Sequence, residues 1–179
     1  MQETFQSETD EWLRAGRQAL VSGTLASVLS TAVLALVGKT TMNKPAAPTN
    51  ATSHWLWGEE AFASHEPTLE HTAVGYATHH ASAVMWATLF ERWLNYRGAV
   101  RPSEIVRDAA AMTALASSVD YGLTPPRLRP GFEQHLSAGE LFGVFAAFGA
   151  GLALGAVLNR RHERRLAELM NLPADETVH

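Results

Sequence analysis

The sequence predicts an all-α integral membrane protein, a four-helix bundle with both termini in the cytoplasm. Two uncharged stretches, residues 18–38 and 141–159, carry this prediction, and a third, residues 71–90, is interrupted only by histidines. Each is about as long as a helix needs to cross the hydrocarbon core of a bilayer, at about 1.5 Å per residue. Mean hydropathy is near zero, but the apolar residues are concentrated in a few long stretches rather than spread evenly along the chain. This concentration favours a membrane protein.

The first helix is predicted at residues 18–38, after a polar segment at residues 1–17. A cleaved signal peptide is the alternative. However, the residues before the apolar run are acidic rather than basic, and the run is longer than the apolar part of a usual signal peptide. Trp12 in the polar segment suits either a short helix at the membrane surface or a frayed terminus.

The second helix is predicted at residues 68–96, after a loop that contains prolines and tryptophans. Its apolar stretch carries three histidines, His71, His79 and His80. A segment that is apolar enough for lipid and also holds titratable side chains is either a functional site or a buried polar seam.

The third helix is predicted at residues 104–123 and is capped by Ser103. Its core is made of small and weakly polar residues, so we expect neighbouring helices to shield it from lipid. Asp120 lies near its end, where an unpaired carboxylate is costly in a membrane.

The fourth helix is predicted at residues 138–159 and opens with a capping box formed by Ser137 and Glu140. Small residues recur at every fourth position, which is typical of the packing face of a membrane helix. These residues are Gly143, Ala147, Gly151 and Gly155. A basic and then polar cytoplasmic tail is predicted at residues 160–179.

The distribution of Lys and Arg predicts the orientation. Nine of them lie on the side of the termini and the second loop: Arg14, Arg17, Arg92, Arg97, Arg101, Arg160, Arg161, Arg164 and Arg165. Four lie on the other side: Lys39, Lys44, Arg127 and Arg129. By the positive-inside rule, the first and third loops face outward.

Two sets of candidate site residues follow from this orientation. The first is a divalent metal site of imidazoles and carboxylates, although its spacing matches no named motif. Its predicted ligands are His54, Glu60, His65 and His71. The second is an intramembrane polar site that moves or senses protons. Its predicted members are His79, His80, Asp120, Tyr121 and Glu140.

Other interpretations of these residues stay open at this stage. The histidines and Asp120 can simply form hydrogen bonds between helices, as structural groups. Haem is disfavoured, because the spans of the other three helices carry no histidine to face the second helix. The cofactor is unknown, and a divalent metal is the candidate that the residue types suggest.

Composition excludes several function classes. The chain has no cysteine, which excludes disulfides and thiolate chemistry, and a net charge of −4 argues against a nucleic-acid partner. No H-E-x-x-H or G-x-S-x-G motif is present, so an enzyme is the minority interpretation.

The sequence favours a small membrane protein that responds to protons or binds a metal through its outer-facing cluster. The alternative is a structural or accessory subunit whose small-residue faces pack against a membrane-protein partner or a second copy.

A resemblance to a known family begins near Asp120. The stretch GLTPP at 122–126 is followed by Pro130, Phe132-Glu133, Leu136-Ser137 and ELFG at 140–143, and then by an apolar helix with a basic end. This pattern resembles the C-terminal third of the YagU-like inner-membrane proteins of bacteria. The resemblance implies a multi-pass protein of the bacterial inner membrane, in contact with the lipid bilayer. It implies no catalytic residues.

Overall fold

The structure is a computed structural model that describes the backbone of residues 2–170 and the side chains of residues 8–170. The described chain is all helical and contains no strand. Its four long helices are α1 (Gln2–Met42), α5 (Val74–Arg97), α6 (Pro102–Ser118) and α7 (Ala138–Met170). Three short helices follow α1: α2 (Ala47–Ala51), α3 (His54–Trp57) and α4 (Glu60–Ala63).

Helices α1 and α7 extend beyond the predicted ends of their apolar stretches. The polar segment before residue 18 is helical, and ion pairs hold it against the neighbouring helices: Glu11 with Arg92, and Arg14 with Glu163 at 2.9 Å. The basic stretch after residue 159 continues α7 as far as Met170. Residue 1 and the end of the predicted tail, residues 171–179, lie outside the described residues.

Two π-helical turns interrupt the regular helices near the candidate site residues. One, Leu69–Ala73, leads into α5, and the other, Val119–Leu123, ends α6. A π-helical turn contains one more residue than a regular α-helical turn, which changes the direction of the side chains around it. Such turns are frequent at functional sites. The two turns contain His71 on one side and Asp120 and Tyr121 on the other.

Helix α1 lies between α7 and α5, while α6 packs mainly against α7. The contact between α1 and α7 is one of backbone against backbone, since a Cβ at Gly151 or Gly155 would collide with the main chain at Ala26 or Ser22. On the other side of α1, a Cβ at Gly23 would lie 2.8 Å from Cα of Val84 in α5. The small residues therefore bring helices of this same chain together.

The bundle has two chemically different ends. We call one the histidine end, which comprises residues 43–73 and 119–137, and the other the arginine end, which comprises residues 91–101 and 159–165. Short helices and loops cover the histidine end. Buried polar and charged side chains fill the arginine end, among them Glu91, Asn159 and Arg160.

Two helices, Glu8–Met42 and Ala138–Met170, are long and apolar enough to cross a membrane. Several large apolar side chains on them are exposed, including Leu20, Leu36 and Phe142. These features support association with a membrane.

The glycine contact between α1 and α7 makes a testable prediction. Gly151→Ala places a methyl group against the backbone of α1, so we expect the free energy of unfolding to fall by about 1–3 kcal/mol. The matched control is Gly16→Ala, where the added Cβ has no atom within 4 Å. Since Ala is the better helix former by about 1 kcal/mol, this control should stabilise or be neutral. Unfolding followed by circular dichroism measures both, and equal effects of the two substitutions would contradict the packing.

Candidate functional site

A cavity of about 450 Å³ lies at the histidine end, between α5, α6 and α7. Its lining residues come from segments that are far apart in the sequence, between Ser30 and Phe148. Nine of its lining side chains determine its chemistry: Ser30, Trp55, His79, Ser82, Trp86, Asp120, Phe132, Phe145 and Phe148. The walls are therefore mostly aromatic and aliphatic, with a few polar groups that converge from different helices.

His79 forms part of the cavity wall on α5. Its Nε2 lies 2.8 Å from Oγ of Ser30 on α1, and its ring packs edge-on against Phe132, with the centroids 6.1 Å apart. Ser82 and Trp86 follow His79 by three and seven residues, so helical periodicity places all three on one face of α5. The polar contact with Ser30 fixes the orientation of the imidazole towards the cavity.

His80 points elsewhere, although it is the next residue. Its Nδ1 lies 2.8 Å from Oγ of Ser27 on α1, and its ring stacks on Tyr76 at a centroid distance of 5.8 Å. Neighbouring residues on a helix point about 100° apart. Both histidines therefore contact α1, but only His79 also lines the cavity.

Asp120 reaches the same cavity from the π-helical turn at the end of α6. It is half-buried, and among the described residues its carboxylate has no hydrogen bond and no ion pair. The neighbouring Tyr121 turns towards Phe145, with ring centroids 6.0 Å apart. A half-buried carboxylate without a protein partner is available to a ligand.

Glu140, the remaining member of the predicted intramembrane set, has a structural role. Its carboxylate accepts hydrogen bonds from the backbone N–H and the hydroxyl of Ser137, each at 2.7 Å. This is the predicted capping box at the start of α7. Of the five predicted residues, the structure thus brings His79 and Asp120 to one cavity, whereas the polar groups of His80 and Glu140 bond to serine side chains and the ring of Tyr121 packs on Phe145.

The predicted metal ligands do not come together, and this corrects the metal hypothesis. Among residues 8–170, no group of three His, Asp or Glu side chains can hold a metal ion. His54 lies between two backbone carbonyl oxygens, those of Ala51 at 2.9 Å and Arg127 at 3.1 Å. Both ring nitrogens of His54 are therefore directed at backbone carbonyl oxygens.

The other three predicted ligands also point in separate directions. His65 packs edge-on against His135, with ring centroids 6.0 Å apart, and His71 bonds Oγ of Ser53 at 3.1 Å. Glu60 is exposed to solvent. The residues are close in sequence, but His54, Glu60 and His71 lie in three separate short helices, and His65 lies in the loop after α4.

Asn50 organises the short helices that close the histidine end. It is fully buried; its amide donates to the carbonyl oxygens of Ser64 and Glu66, each at 2.9 Å, and accepts from the Thr72 hydroxyl at 2.7 Å. These bonds tie α2 to the loop after α4 and to the π-helical turn before α5. These short helices and the loops that join them, which we call the cap, carry Trp55 to the cavity.

Sequence reasoning missed a buried polar network at the arginine end. Glu91 is fully buried and accepts a hydrogen bond from Asn159 at 2.8 Å, with the guanidinium of Arg160 at 3.4 Å. Gln18 and Asn95 extend the network from α1 and α5, joined by a hydrogen bond of 2.8 Å. The available signal was that charges of opposite sign, Glu91 and Arg160, directly follow two of the apolar stretches.

Comparisons with family models, with curated proteins and with solved structures found no match for this chain.

The buried pair at the arginine end makes a testable prediction. Arg160→Gln leaves the carboxylate of Glu91 buried without a cation, so we expect a loss of about 3–5 kcal/mol in the free energy of unfolding. The double variant Glu91→Gln with Arg160→Gln removes both charges and should lose less. Arg161→Gln, at the exposed neighbouring position, is the control and should change stability by less than about 0.5 kcal/mol. A double variant that loses the sum of the single effects would contradict the pairing.

The histidine pair in the cap predicts a dependence of stability on pH. Burial, and secondarily the nearby His65, lowers the pKa of His135 from its usual 6.5. The unfolded chain therefore binds a proton more readily than the folded protein, so stability is full above about pH 6.5 and decreases as the pH falls below it. His135→Gln should flatten this part of the profile, as measured by unfolding between pH 5 and 8. The same substitution at the exposed His162 is the control, and an equal change there would refute the assignment.

Proposed function

We propose that this chain is a small, non-enzymatic membrane protein that binds a small, mostly apolar molecule in the cavity at the histidine end. The single observation that carries the proposal is the cavity itself. Its volume of about 450 Å³ falls within the range of ligand sites, and its aromatic walls surround a few convergent polar groups. Asp120 is the ionisable group of this lining through which we propose that the cavity responds to protons.

We infer four membrane crossings with both termini in the cytoplasm. The exposed apolar side chains of α1 and α7 and the gathering of arginines at the arginine end support this orientation. The histidine end then faces outward. The resemblance of the C-terminal third to YagU-like proteins supports a location in the bacterial inner membrane.

The structure gives less support to catalysis in this cavity than to binding. Ser30 and His79 form a serine–histidine contact of 2.8 Å, the first part of a nucleophile–base arrangement. However, no carboxylate among the described residues bonds to His79, and the Ser30 hydroxyl also contacts the backbone carbonyl of Ala26 at 2.7 Å. The group that would orient the base is therefore missing.

An accessory role through the small-residue faces is also less favoured. Gly151 and Gly155 of the predicted small-residue face pack against α1 of this same chain, and Gly23 of α1 packs against α5. The cavity, in contrast, is a surface that the described chain does not fill.

A neutral brominated probe, 1-bromo-4-neopentylbenzene, tests the binding function with the full chain in an uncharged detergent. Trp55 and Trp86 line the cavity, so bound bromine should quench tryptophan fluorescence in a saturable way. Partition into micelles adds only a non-saturable background. Ser82→Phe puts a bulky side chain at the cavity wall and should abolish the saturable component.

The matched control is Ser117→Phe, since Ser117 lies on a different surface groove between α6 and α7. This control should keep the saturable component. Absence of saturable quenching in the unmodified protein would refute binding of a neutral molecule, and persistence of the quenching in Ser82→Phe would refute binding in this cavity.

A further inference from the structure

We propose that the molecule bound in this cavity is an organic cation, whose charged group lies against Asp120 and whose apolar body lies among the aromatic side chains. This inference rests on the proposed binding function and specifies the chemical class of the ligand. It depends on three features: the aromatic lining, the unpaired carboxylate and the distribution of charge around the cavity.

The aromatic lining suits a cation better than a plain hydrocarbon pocket would. Five rings come to the cavity from α5, α7 and the connecting segments: Trp55, Trp86, Phe132, Phe145 and Phe148. The face of an aromatic ring attracts a cation because of its quadrupole, and the attraction increases when water is excluded. Tryptophan is the strongest of these partners.

Asp120 supplies the counter-charge. Its carboxylate has no hydrogen bond or ion pair among the described residues, although it is half-buried. A carboxylate in such surroundings is costly unless a cation pairs with it. A bound cation satisfies this group, whereas a neutral molecule leaves it unpaired.

The charged groups around Asp120 also disfavour an anion. The described lining of the cavity contains no lysine or arginine. The carboxylate of Glu133 is near enough to act on Asp120 electrostatically, and it adds negative charge. The neighbouring arginine, Arg129, directs its guanidinium to the carbonyl oxygens of Tyr121 and Thr124, each at 3.4 Å.

Two probes of the same shape and different charge test this inference on the full chain in an uncharged detergent. The cation is (4-bromobenzyl)trimethylammonium, and its neutral isostere is 1-bromo-4-neopentylbenzene, in which carbon replaces the nitrogen. Saturable quenching of tryptophan fluorescence gives the affinity of each. We expect the cation to bind at least about tenfold more tightly, as a charge-assisted contact implies.

Asp120→Asn removes the charge with almost no change in shape. We expect this variant to bind the cation about tenfold more weakly while its affinity for the neutral probe is unchanged. Asp120→Glu should restore most of the preference. Glu59→Gln, at an exposed carboxylate outside the cavity, is the control and should keep the full preference.

The possible outcomes separate this inference from the proposed function. If both probes bind saturably with equal affinity, and this does not change in Asp120→Asn, the inference that the ligand is a cation would be overturned. The binding function would remain, with a lipid chain as a suitable occupant of the cavity. Saturable binding of neither probe would overturn both. If Asp120→Asn fails to fold, the comparison of the two probes on the unmodified protein still decides whether the cavity prefers a cation to a neutral molecule.

Discussion

The close contact between α1 and α7 is the constraint on which the rest of the structure depends. Gly151 and Gly155 let the two backbones touch, and Gly23 allows α5 to approach α1 from the other side. Since α1 occupies the space between α5 and α7, α6 is held mainly by α7. A gap between α5 and α6 follows from this arrangement, and at the histidine end the gap becomes the cavity.

The two ends of the bundle use polar residues in opposite ways. At the arginine end, Glu91 accepts a hydrogen bond from Asn159 and forms an ion pair with Arg160, and these contacts join α5 to α7. Around the cavity, Ser30 contacts His79, while Asp120 of the histidine end has no partner among the described residues. The arginine end therefore positions the helices, whereas the carboxylate of Asp120 at the histidine end is available to a ligand.

The sequence predicted much of the helical framework and part of the site. The α-helical class and the positions of the four long helices follow from apolar stretches of helix length and from local signals such as the Ser137–Glu140 capping box. The ends of α1 and α7 were underestimated, because the ion pairs that hold their polar turns join residues far apart in sequence. The metal ligands were grouped by proximity in sequence, and the short elements of the cap separate them.

The sequence by itself determined where helices form and which ends carry charge, since both depend on neighbouring residues along the chain. Only the tertiary structure decided that His79 rather than His80 lines the cavity, because that choice depends on which serine of α1 lies opposite each ring. Only the tertiary structure showed that Arg160, one of six consecutive residues that suggest a solvated anchor, is buried against Glu91. Helical periodicity is a local property, whereas burial and pairing depend on how distant segments pack.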